Sequence, residues 1–162
     1  MTELTNLEMK LGEVIGLAMA AQAATERVEK LTTDAKLRKQ LKTMRQEAEK
    51  AEKDGTAVAA SLNGKKSKIL AEARAVKTKG AMMMKTYLDR GSDDLDGFEF
   101  LTMAEAGEVG HWGVLQELNK QARHPGVRDL VKVQLPIQKR HLKDVMAASL
   151  LLAAKEDANA AA

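Results

Sequence analysis

Apolar residues recur every three to four positions along most of this chain, the period of helices that bury one face. Leu4, Leu7, Leu11, Val14, Ala18, Ala21 and Val28 mark a first helix over 2–31. Thr32-Thr33-Asp34 reads as a turn ending in a good N-cap, and Leu37, Leu41, Met44, Ala48 and Ala51 carry a second helix over 34–54. A turn this short makes the two antiparallel neighbours. Glycines 55, 64, 80 and 91 then punctuate the chain. They predict a helical crossover over 56–90 made of two short pieces, one around Ile69, Leu70, Ala73 and Val76 and one from Met82 to Leu88. Ser92, Asp93 and Asp94 suit the positive end of a third long helix over 92–123. His124-Pro125-Gly126 breaks it, and a fourth helix covers 126–155, with Pro136 kinking it or starting its main segment. The expected unit is one domain over 1–157, with 158–162 a frayed tail.

Two helical hairpins joined by a long crossover predict an all-α fold, an antiparallel four-helix bundle with one extra helical segment between the second and third helices. Composition agrees. Of 162 residues, 44% are hydrophobic but only 2% aromatic, so the core must be built from Leu, Ala, Val and Met, most of them strong helix formers. The absence of cysteine excludes disulfides and thiolate metal sites. No targeting presequence is read at the start, and no apolar run reaches the roughly 18 residues of a membrane span. A soluble, cytoplasmic protein with no membrane partner is expected.

Two of the apolar stripes are interrupted by groups that are costly to bury alone. On the third helix, Phe98, Leu101, Ala104, Trp112 and Leu115 share a stripe with Glu105 and Glu108, and His111 lies at its edge. On the fourth, Val127, Leu130, Ile137, Val145, Ala148 and Leu152 surround His141, with Gln138 beside it. The pattern predicts a polar pocket inside the bundle, with Trp112 and Gln138 in its wall. Two arrangements satisfy it. Glu105, Glu108, His111 and His141 could hold a single Fe, Mn or Zn ion, since mixed carboxylate and imidazole donors accept all three. Alternatively, Glu108 pairs with His141 and Glu105 with Gln138, a buried cluster that sets helix register without chemistry. No cofactor is firmly implied.

The Ala-rich first helix, the Asp34-x-x-Leu37 start of the second, the segment Ala104-Glu105-Ala106-Gly107-Glu108-Val109-Gly110-His111 and the spacing from Leu135 through His141 to Val145 together resemble the ferritin-like superfamily. The nearest likeness is its YciF-type branch of small bacterial stress-associated bundles. The resemblance implies a ferritin-like fold and a di-metal centre built from one Glu on each of two helices and Glu-x-x-His on each of the other two. Glu108-x-x-His111 matches that motif, whereas Gln138-x-x-His141 carries an amide in place of the carboxylate. The first helix offers only Glu13, off the stripe, and Gln22; the second offers Glu47-x-x-Lys50 at its flank. The expected outcome is a degenerate centre in a stress-related or structural protein, with metal binding at most partial. The alternatives are a metal-dependent oxidase or iron-handling protein with an asymmetric site, and an interaction module.

The last alternative comes from charge. The net formal charge is +3, yet residues 27–90 hold 17 Lys or Arg against 8 acids, and residues 91–108 hold six acids and no base. Such a basic face can attract nucleic acid or an acidic protein. Gly107, Gly110 and Gly113 form a ridge, expected opposite Glu105 and Glu108 and packed against the crossover or a second subunit. A homodimer is therefore expected. His124 is expected to cap the carbonyls ending the third helix. Met82-Met83-Met84 is expected to fill core with one Met left exposed. No phosphate loop, dinucleotide fingerprint or nucleophile elbow occurs.

Overall fold

The computed structural model describes residues 3–161 and contains, among them, five α-helices and no strand. The expected all-α class is the one observed. The helices are α1 (Asn6–Leu31), α2 (Ala35–Ala60), α3 (Lys66–Tyr87), α4 (Asp94–Ala122) and α5 (Pro125–Ala153).

Side chains that satisfy the first free N–H groups set most of the starts. Thr5 and Glu8 form a reciprocal capping box at α1, so the helix begins there; the expected start at Thr2 lies outside the described residues. Asp34 accepts from Lys36 and Leu37 at 2.9 and 3.0 Å, as expected for α2. Asp93 and Asp96 form a second capping box at α4. His124 acts on the other helix from the one expected. Its Nδ1 accepts from the Val127 N–H at 3.3 Å and caps the start of α5, with Pro125 in the first turn. The preceding helix ends instead on Arg123 in the left-handed region (φ 54°), braced by Asn119, which bonds both the N–H and the carbonyl of His124.

Helices α1, α2, α5 and α4 pack in a closed ring, and α3 lies against α1. Gly97 sits over Val28 while His111 meets Glu13, so α4 runs antiparallel to α1. Gly126 faces Val58 while Arg140 meets Glu47, so α5 runs antiparallel to α2. Gly12 faces Ile69 and Gly80 faces Ala20, so α3 runs parallel to α1.

Two glycines expected to end helices lie inside them. Gly55 packs on Ile15, so α2 continues six residues past its expected end at Asp54. Gly80 packs on Ala20, so 66–87 is one helix where two short ones were expected. Helix α5 likewise passes unbroken through Pro136. The glycine ridge of α4 is a second correction. A Cβ built at Gly107, Gly110 or Gly113 meets nothing within 4 Å, so the ridge is not packed against the chain's own 56–90 segment. Close approach occurs between α1 and α3 instead, where a Cβ at Gly16 would stand 2.4 Å from the Ala73 carbonyl oxygen and one at Gly12 would stand 2.7 Å from that of Ile69. The methionine run also differs: Met82 and Met83 are both exposed, and only Met84 packs against the core.

The core falls into two apolar halves. One gathers Leu11, Val14, Ile15, Ile69, Trp112, Leu115, Val127 and Val131. The other gathers Val28, Leu37, Leu41, Phe98, Leu101, Val145 and Ala148. On α4 the residues between the halves are Glu105 and Glu108; on α5 they are Gln138 and His141. All four are buried.

Candidate functional site

Because α4 and α5 are antiparallel and joined by a short turn, residues equidistant from that turn meet. Glu105 lies level with His141, and Glu108 with Gln138. His141 Nδ1 lies 3.7 Å from Glu105 Oε2, and its Nε2 lies 2.5 Å from Glu47 Oε2. Arg140 adds an Nη2 contact to the other Glu47 oxygen at 2.5 Å. The Gln138 amide turns its nitrogen toward the acids and donates to Glu105 Oε2 at 3.2 Å and Glu108 Oε2 at 3.0 Å. A polar layer thus crosses the bundle from α2 through α5 to α4.

The pairing differs from the expected one. Gln138 does bond Glu105, but it also takes Glu108, and His141 pairs with Glu105 and Glu47 rather than Glu108. Glu47 is the residue that sequence reasoning passed over. It lies next to Ala48 and three residues from Met44, both on the buried stripe, so its flank position still lets it reach inward to His141.

Three groups of the layer are displaced, each for a physical reason. Burial works against a charged His141, but the carboxylates of Glu105 and Glu47 at its two ring nitrogens outweigh it and hold the imidazole above its ordinary value. Burial also opposes ionisation of Glu47, yet Arg140 and His141 hold that carboxylate below its usual range. Glu108 has no such help. Burial first, and then the adjacent Glu105 charge, push its carboxyl well above the ordinary value. The layer therefore favours an imidazolium between two carboxylates and a protonated Glu108.

His111 does not join this layer. It pairs with Glu13 at 3.0 Å and Lys10 at 3.2 Å, and Lys10 also bonds Glu13. Trp112 is buried in the first apolar half rather than in a pocket wall, and its indole N–H and the Gln134 side-chain amide have no partner among the described residues. Gln22 bonds Glu52 at 2.5 Å. Among the described residues, no three His, Asp or Glu side chains are grouped to hold a metal ion.

The layer reaches two clefts. Glu47 and His141 border one of about 270 Å³ between α2 and α5, together with Lys36, Lys39 and Asp144. Glu105, Glu108 and His111 border another of about 200 Å³ among α1, α3 and α4, whose remaining walls are apolar. Part of the basic surface is engaged by an acid of the chain itself: Arg45, Lys42 and Arg38 approach the buried Glu29 at 2.9, 3.6 and 3.9 Å. Among the described residues, no helix is long and apolar enough to cross a membrane. Comparison of the chain with family models, with curated proteins and with solved structures gives no match.

Proposed function

We propose that this chain is a ferritin-like four-helix bundle, with α3 as its crossover, in which a hydrogen-bonded polar layer occupies the place of the di-metal centre. Its role in this reading is stress-related or structural, with metal binding at most partial. The up-down-down-up course of α1, α2, α4 and α5 supports the fold assignment. The observation that carries the functional reading is the double engagement of His141. Both ring nitrogens of the imidazolium face carboxylates, so neither offers a lone pair to a metal while the layer is intact. Gln138 supplies N–H donors between two acids where a third carboxylate would be needed to balance a cation's charge. An interior layer of this kind favours one helix register, since a slipped register would leave charges buried and unpaired.

Metal analysis of protein purified without chelator tests this. The expected result is substoichiometric Fe, Mn and Zn and no ferroxidase activity; stoichiometric, tightly held metal would favour the oxidase reading. Gln138→Glu supplies the converse test. It restores Glu-x-x-His on α5, and the variant should gain a thermal midpoint that rises with added Mn²⁺ or Zn²⁺, because a ligand binding only the folded state stabilises it. A variant as indifferent to both ions as the parent would argue against a latent metal geometry.

A further inference from the structure

We propose that the seam between α4 and α5 is a binding site for one buried water molecule, held between Trp112 and Gln134. Counting outward from the turn sets Glu105 level with His141 and Glu108 level with Gln138. One helical turn nearer the loop, the same count sets Trp112 level with Gln134. Both side chains are sealed from solvent, Trp112 at 1% exposure and Gln134 at 0%. The indole Nε1 and both the Nε2 and Oε1 of the amide have no hydrogen-bond partner among the described residues. The polar groups one turn away differ, since Gln138 donates to both acids and His141 meets Glu105 and Glu47. Buried polar groups are bonded to protein or to ordered water in the great majority of cases, so three orphaned groups at one level point to a guest.

The donors and acceptors select the guest. It must accept from an indole N–H and an amide N–H, and donate to an amide oxygen. A cation cannot accept, and a bare anion cannot donate. Neither Trp nor Gln carries a charge, so an ion of either sign would be buried here without a counter-charge. Water donates and accepts twice, and a buried water usually makes about three hydrogen bonds, the number on offer. A direct bond between Trp112 and Gln134 would satisfy one end of the amide and leave the other orphaned, whereas a water reaches both. One water needs only about 10–15 Å³ of probe-occupied room. Glu47 lies opposite Arg140, so the antiparallel α2 brings Ala51 and Gly55 to this level, both buried and with little bulk of their own. The polar layer then extends one turn into the first apolar half, with Trp112, the only tryptophan of the chain, as its reporter.

This site is independent of whether the neighbouring acids ever bind metal. The test is nuclear magnetic resonance on the isotope-labelled full-length protein, whose single indole N–H gives one side-chain signal of its kind. Water-selective cross-relaxation should show that proton in contact with a water that stays longer than the protein takes to tumble. The rotating-frame experiment, in which contact and hydrogen exchange have opposite signs, should return the sign of contact. A crystal structure should place a water oxygen about 2.7–3.2 Å from Trp112 Nε1 and from the Gln134 amide. Gln134→Leu removes the amide and leaves the water a single partner, so the contact signal should fall to background while circular dichroism keeps its helical form. Gln134→Met serves the same purpose if the leucine variant does not fold. Absence of a water contact in the parent would overturn the inference. So would an undiminished contact in a folded variant, or a crystal structure with the Gln134 amide bonded directly to the indole and no water between them.

Discussion

The seam between α1 and α3 and the seam between α4 and α5 solve helix packing in opposite ways. Along α1, Gly12, Gly16 and Ala20 recur every fourth residue and bring the backbone of α3 so close that no larger side chain fits. Along α4 and α5, the facing positions carry Glu105, Glu108, Gln138 and His141, and the helices meet through side chains that bond each other. The first seam is specified by shape and tolerates no added atom. The second is specified by pairing, and tolerates volume changes better than the loss of a partner. The glycines make the contrast sharp, because Gly107, Gly110 and Gly113 repeat at helical spacing as Gly12 and Gly16 do, yet face open space.

The largest expected effect lies on the paired seam. His141→Ala leaves Glu105 and Glu47 without their shared cation, and removing one partner of a buried pair costs about 3–5 kcal/mol. Arg140 still serves Glu47, and Gln138 still donates to Glu105, so the loss should fall near the lower end. Chemical denaturation checks it, and a loss below about 1 kcal/mol, the scale of a surface pair, would mean the layer does not specify the fold. The pH dependence has a defined sign. Folding favours the His141 imidazolium, so its stabilisation is complete below the ordinary imidazole value of 6.5 and is lost as pH rises through the raised folded value. That loss should be absent in the variant.

Gly16→Leu comes next. Its Cβ alone would press on the Ala73 carbonyl oxygen and on Val76. Overpacking of this kind costs about 1–3 kcal/mol, and backbone on the far side argues for the upper part of that range. Proteolysis should show α3 released from α1 first; a variant as stable as the parent would mean the seam is looser than its geometry.

Glu108→Gln should act in the opposite direction. A carboxyl whose folded value is raised stabilises fully only below its ordinary value, and that contribution is lost as pH rises toward the folded value. The amide escapes this loss. The variant should match the parent in acid and exceed it in thermal midpoint at neutral and alkaline pH, with a gap that widens as pH rises. A variant less stable at every pH would show that Glu108 is ionised and paired in the native state.

The smallest effect sharpens the glycine comparison. Gly110→Leu adds a side chain where nothing stands within 4 Å and improves helix propensity. It should stabilise by up to about 1 kcal/mol. Destabilisation that depends on protein concentration would reveal a second subunit on this face.

Much of the candidate site was legible in the chain. Glu105, Glu108 and His141 fall on apolar stripes and Gln138 beside one, and a side chain's place on a helix follows from spacing alone. Their partners were not legible. Spacing gives the face of a helix, not which residue of another helix lies opposite, so Glu47 at the flank of its stripe was discounted and His141 was given to Glu108. His111 shows the converse: the Glu108-x-x-His111 spacing is that of a ligand pair, yet the ring meets Glu13 and Lys10 on α1.

By itself the sequence determined the all-α class, the bounds of α4 and α5 to within about two residues, the cap at Asp34 and the burial of four polar groups. These depend on interactions within a few residues, which helical periodicity and capping chemistry encode directly. Only the tertiary structure decided that Gly55 and Gly80 sit inside helices, that Gly12 and Gly16 are the packed glycines while the α4 ridge is open, and that Glu47 completes the polar layer. In each case the deciding atom belongs to another helix: Ile15 over Gly55, Ala20 over Gly80, the Ala73 carbonyl over Gly16, the His141 ring over Glu47. A glycine breaks a helix or enables a close contact according to what lies across from it, and a carboxylate is a surface charge or a buried partner for the same reason.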